Sequence, residues 1–252
     1  ERIYTIKDVL TVCDAFALPA VFDVSHHSIN PPAQGNIPDW LDKAALTWEG
    51  GHGRQKIHYS QQWPGGKPGM HSKSISMDEF LKFHAGLGDR ELDVMLEVKD
   101  KNLSAVKCAN LTSPDLPRQR LTEEWARYKY LILEHDPTAY GEIRKLLKLE
   151  KPDAARFYGC LERALEKEAT PGHARNAAQH VWGYLDELAS TAERGRVLAD
   201  VDTLDRDPKA YPRLKRKLFA LPENQGQETL LRRRYLYLGH RPRPVGQDRG
   251  NM

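Results

Sequence analysis

The chain changes texture once, near residue 117, and this break constrains its fold more than any average property does. Before it, short apolar runs alternate with helical spacing. The pattern predicts helices over 5–16, 39–48 (begun after Pro38), 77–87 (capped by Ser76) and 102–109, with strands over 20–24, 54–60 and 92–99. Strand, polar loop and helix recur three times, which argues for a parallel sheet or part of a barrel, because parallel neighbours need a crossover between them. After the turn-rich stretch Leu111 to Pro117 only helical periodicity remains, roughly over 121–134, 137–149, 152–168, 172–189, 191–204, 208–220 and 225–237. The expected fold is α/β plus all-α: a barrel-like region over 1–117, a helical domain over 118–238 and a disordered, basic tail over 239–252.

No run approaches the roughly 20 apolar residues of a membrane helix, and Glu1-Arg2-Ile3-Tyr4 is unlike a secretory signal. A cytoplasmic protein without a membrane partner is expected. Cys13, Cys108 and Cys160 are odd in number and widely spaced, so they read as reduced core thiols rather than a disulfide or zinc framework. Charge is uneven. Residues 1–120 hold 14 Lys and Arg against 15 Asp and Glu, whereas 121–252 hold 24 against 20. Arg213, Lys215, Arg216, Lys217 and the run Arg232-Arg233-Arg234 concentrate the excess, which suits either a polyanion or a solvated helix face.

The strand ends gather ligand-type residues: Asp23, His26 and His27, then Lys56 and His58, then Glu97, Lys99 and Asp100. In parallel α/β folds this edge is where active sites form. Alternation along a strand puts Lys56 and His58 on one face, and Met95, Glu97 and Lys99 on one face, with Val94, Leu96 and Val98 turned toward the covering helices. Carboxylate and imidazole donors converging without a thiolate fit Mn, Mg, Fe or Zn.

The segments Val21 to Asn30, Lys56 to Ser60, Met70 to Lys73 and Met95 to Asn102 together resemble the UV damage endonucleases. The resemblance covers residues 1 to about 110 and implies the C-terminal portion of a TIM-like (β/α) barrel. It also implies hydrolysis of the phosphodiester immediately 5′ of UV photoproducts in double-stranded DNA. Carried over residue by residue, it implies that Asp23, His26, His58 and Glu97 hold a divalent metal cluster, commonly manganese, with magnesium, zinc or cobalt as alternatives. It places Lys56 where the family has a lysine that can be carboxylated beside the metals, and His71 near the scissile phosphate. The family usually follows that histidine with Ser-Asp; here Ser72-Lys73 stands instead. Lys99 and Lys101 are candidate contacts to flanking phosphates, as are Arg232 and Arg233 in the basic run. The loop Trp63 to Gly69 reads as a mobile surface loop that can also approach the DNA backbone.

The barrel fold has eight βα units and three are visible, so the expectation is a fragment of a longer protein whose site is incomplete, binding metal weakly and nicking DNA poorly. The helical half resembles, more loosely, a YbgA-like domain of unknown function, through Tyr128 to Asp136, Ala169 to Asn176 and Gln179 to Tyr184. Its stripe of His173, Asn176, His180 and Tyr184 reads either as interhelical packing or as a ligand or nucleic-acid surface. Two other functions fit the same residues. One is a metal-dependent sugar isomerase or epimerase of the same barrel type, and the other a non-catalytic DNA-binding or interaction module.

Overall fold

The computed structural model describes residues 3–49, 51–207, 209–224, 226 and 235. It divides into two compact units, Glu1–Pro114 and Asp115–Met252. Arg232, Arg233 and the tail over 239–252 lie outside the described residues, as does nearly all of the expected helix over 225–237.

The first unit runs α1 (Ile6–Phe16), β1 (Phe22–Asp23), α2 (Val24–Ile29), α3 (Ile37–Leu46), β2 (Lys56–Tyr59), α4 (Met77–Gly86), β3 (Asp93–Leu96) and α5 (Asn102–Thr112). The strands form one parallel sheet in the order β1-β2-β3, which does not close into a barrel among the described residues. Burial dictates its register. Phe22 and Ile57 are fully buried and paired across β1 and β2, and Tyr59 is buried one step above, so one sheet face is committed to the helices. Period-two alternation then turns Asp23 and His58, also register partners, to the other face.

Helix α3, Ile37–Leu46, starts and ends two residues earlier than its periodicity suggested. Asn36 and Asp39 exchange side-chain and backbone hydrogen bonds at 3.0 and 3.1 Å, and Pro38 sits in the first turn, where its missing N–H costs nothing. Its far end is tied to β1. The Trp48 indole donates to the Ala20 carbonyl, and the Ala20 N–H donates to Thr47 Oγ1, both at 2.8 Å. Ser76 precedes α4 as expected, but its side chain makes no capping bond; its N–H donates to Gln61 Oε1 at 2.6 Å instead. Cys13, Cys108 and Cys160 are free and buried.

The second unit is helical: α6 (Arg118–His135), α7 (Pro137–Leu146), α8 (Ala154–Leu165), α9 (Pro171–Trp182), α10 (Thr191–Thr203) and α11 (Ala210–Asn224). The expected single helix over 172–189 instead ends at Trp182, and a 3₁₀ turn follows at Asp186–Leu188. Asp136 joins α6 to α7. Its Oδ1 accepts the N–H groups of Thr138 and Ala139 at 3.1 and 3.2 Å, and its Oδ2 pairs with Lys167.

Burial alone would raise the Asp136 carboxyl, but the Lys167 ammonium and these two N–H groups outweigh it and hold the group below its ordinary value. A depressed carboxylate stabilises the fold above its unfolded pKa of 3.8 and loses that contribution as pH falls through the folded value. Asp136→Asn should therefore be less stable than wild type at neutral pH, and urea midpoints should converge as pH drops below about 4. A gap that persists to low pH would mean the carboxylate charge is not what stabilises this junction.

Candidate metal centre

Asp23 closes β1 and at the same time caps α2: its Oδ1 accepts the His26 N–H at 2.9 Å. The segment expected to be a polar loop is thus a helical turn, because one carboxylate oxygen satisfies its first free N–H. The other oxygen, Oδ2, faces His58 Nδ1 at 3.7 Å and His26 Nδ1 at 3.6 Å. Glu97 lies just past β3, anchored by its own N–H to the Tyr59 carbonyl at 2.9 Å. This bond sets Glu97 Oε1 3.1 Å from His58 Nδ1.

One donor atom each from Asp23, His58 and Glu97 falls within a 4.8 Å cluster, and all three side chains are only partly buried. Two carboxylates and an imidazole at this spacing suit a divalent cation with oxygen and nitrogen preference. Without a positive charge between them, the two carboxylates repel; His58 is placed to bridge both. His26 adjoins the cluster through Asp23. Lys56 opens β2, exposed, two residues before His58.

His71 reaches the site from a loop. Its Nε2 is 3.7 Å from Glu97 Oε2. The loop is built, not loose: Gln62 and His71 form an antiparallel bridge, and the Trp63 N–H meets the Met70 carbonyl at 2.7 Å. Inside the turn, Gln62 Nε2 donates to the carbonyls of Trp63, Gly66 and Lys67 at 2.9 to 3.3 Å, and its Oε1 accepts the Gly69 N–H at 2.9 Å. Gly65 and Gly69 take φ of 72° and 86°, which L side chains rarely adopt. Sequence reasoning passed over Gln62; its place before the Trp-Pro-Gly-Gly turn was the available signal.

Lys99 does not extend freely into solvent. Its Nζ lies 4.4 Å from the centre of the Trp63 ring, where Lys73 also approaches at 5.1 Å. Lys101 takes φ of 52° immediately before α5. Beneath the site, burial pushes the Tyr59 phenol up to about 12, and Gln61 Nε2 donates to its oxygen at 2.9 Å. His27 is not directed at the cluster. It packs on Phe22 with ring centres 5.2 Å apart, and burial lowers its pKa.

In the helical unit, the stripe expected to pack between helices is largely exposed: Asn176 and His180 face solvent, as does more than half of Tyr184. His180 stacks over Tyr130, with ring centres 6.3 Å apart.

A titration with Mn²⁺ should raise the melting temperature of the chain, and Glu97→Gln should remove most of the shift, since one of three close donors is lost. Equal shifts for both proteins would place metal binding elsewhere.

The segment that carries these residues resembles known proteins. Residues 1–123 match the family described as UV-endonuclease UvdE, and residues 129–238 match a domain described as a protein of unknown function, DUF1722. A UV DNA damage endonuclease of Clostridium perfringens is 32% identical over 66% of this chain and 40% of its own length. A UV DNA damage endonuclease of Halalkalibacterium halodurans is 32% identical over 41% of this chain and 33% of its own length. The crystal structure of SacUVDE shares 38% identity over 41% of this chain and 34% of its own, with a TM-score of 0.37. The chain thus spans well under half the length of these relatives. No described helix is long and apolar enough to cross a membrane. The chain thus joins a segment similar to the UV-endonuclease UvdE family, residues 1–123, to one similar to DUF1722, residues 129–238.

Proposed function

We propose that the chain acts in a cytoplasmic DNA repair endonuclease that hydrolyses the phosphodiester 5′ of UV photoproducts, at a divalent metal site, most readily manganese, on a TIM-like barrel. The observation that carries this reading is the convergence of Asp23, His58 and Glu97 within 4.8 Å at the strand ends of a parallel sheet, inside the segment matching UvdE. A bound divalent cation supplies positive charge at the scissile phosphate and makes water nucleophilic near neutral pH. The protein's own part is positional. Asp23, His58 and Glu97 hold the cation, with His26 completing the Asp23 side, and Lys56 adds positive charge on the same sheet face.

His71, held beside Glu97 by the Gln62-braced loop, is placed to hydrogen-bond a phosphate oxygen or to protonate the departing 3′ oxygen. Lys99 and Lys101 follow β3 and provide charge for the flanking backbone, with Arg232 and Arg233 as further phosphate contacts.

The test is Mn²⁺-dependent nicking of supercoiled plasmid, UV-irradiated against unirradiated, with the chain and its Glu97→Gln variant. Slow nicking that requires UV, metal and Glu97 is expected. His71→Ala should lower the nicking rate roughly 100-fold while leaving the Mn²⁺ melting shift in place, as a group acting on phosphate rather than metal would. Equal nicking of both plasmids, or nicking unaffected by Glu97→Gln, would refute the reading.

A further inference from the structure

The cations that stand out in the sequence of the helical unit are mostly spent internally. Arg213 pairs with Asp200 and Asp207, Lys217 with Asp200, Arg175 with Asp205, and Arg194 with Asp186. Lys215 is buried against Glu134 at 2.7 Å, and that burial lowers its pKa. None of these charges is free to meet a polyanion without breaking a pair.

One cleft is different. Arg118, Thr122 and Trp125 from α6, with Arg144 from the last turn of α7 and Leu147 and Lys148 just past it, line a broad hollow of about 450 Å³. No acidic residue lines it, and among the described residues Arg118, Arg144 and Lys148 enter no ion pair. All three are exposed. Trp125 forms a nearly buried floor, packed on Tyr140 with ring centres 5.2 Å apart, and Arg144 lies 5.8 Å from the centre of that same ring. The rigid aromatic base thus holds the two helices that carry the cations. Three uncompensated charges in so small an area repel one another and are relieved by an anion.

We infer that this cleft docks the phosphodiester backbone of duplex DNA, making the helical unit a sequence-independent DNA grip. Long, solvent-exposed cations read charge rather than shape, which suits backbone and not a small ligand that needs fixed, buried polar partners. The choice of DNA as the polyanion rests on the endonuclease reading above. The grip itself does not need the metal centre.

Binding of a fluorescent, undamaged duplex to the full chain is measured by anisotropy in EDTA across about 50 to 200 mM KCl. Under these conditions the metal centre is silent. The triple variant Arg118→Gln, Arg144→Gln, Lys148→Gln should bind roughly tenfold or more weakly, and the slope of log K against log salt should fall by about 2 to 3. Each single substitution should lower it by about 1. A control removing Lys7, Lys82 and Lys209 charges by Gln substitution, with the same change in net charge, should keep the wild-type slope. The three cleft residues are exposed, so circular dichroism and melting should match wild type; the single variants carry the test if the triple variant unfolds. An unchanged slope, or an equal fall in the control, overturns the proposal. So does an unchanged slope accompanied by lost affinity for a polyglutamate peptide, which would give the cleft to an acidic protein. Failure here leaves UV-dependent nicking intact, and failure of nicking leaves this slope intact.

Discussion

The register between β1 and β2 is the constraint on which the site depends. Phe22 opposite Ile57 buries two large apolar side chains on one face, and a slip of one residue would send both into water. Each is worth about 1.5 to 3 kcal/mol in burial, so the register is not negotiable. With it fixed, Asp23 and His58 must stand side by side on the opposite face. On the other side of β2, the Glu97 N–H to Tyr59 carbonyl bond extends the β2–β3 ladder one step and brings the third donor to the same end of the sheet. The chemistry of the site is thus a by-product of where the core had to go.

That arrangement is electrostatically unfinished on its own. Asp23 and Glu97 bring two carboxylates against one imidazole, and all three are partly solvated. Water screening makes the repulsion tolerable, which is why the fold can hold the cluster before a cation arrives. The same face exposes Met95, the β3 partner of His58, to 54% of its area. An apolar side chain beside a polar donor set is what the floor of a site looks like when it is neither core nor ordinary surface.

The donor residues were legible because two simple rules coincide on them: strand alternation and the position of strand ends. Asp23, His58 and Glu97 satisfy both. The helical turn at Val24–Ile29 was not legible, since it rests on the Asp23 side chain acting as a cap while also facing the site. The strands are shorter than their apolar runs suggest; β1 has only Phe22 and Asp23 in ladder geometry, because periodicity reports burial and not hydrogen bonding. Gln62 was invisible for a related reason. Its four bonds run to backbone atoms of its own loop, three carbonyls and one N–H, and no residue pattern encodes backbone partners.

Charge was the least legible property of all. The cluster over 213–217 reads as a polyanion surface, yet Lys215 is buried on Glu134, 81 residues away in sequence, and Arg213 and Lys217 both reach Asp200. A run of cations is visible locally, whereas its neutralisation is a matter of tertiary contact. The reverse holds at Arg118, Arg144 and Lys148, which are scattered in sequence and meet at one cleft. Arg144 in the last turn of α7 and Lys148 in the turn just past it come together, and Arg118 joins them because Trp125 and Tyr140 pack α6 against α7. What decides whether a basic residue is available to a partner is therefore the acid packed beside it, not the number of basic residues around it in the chain.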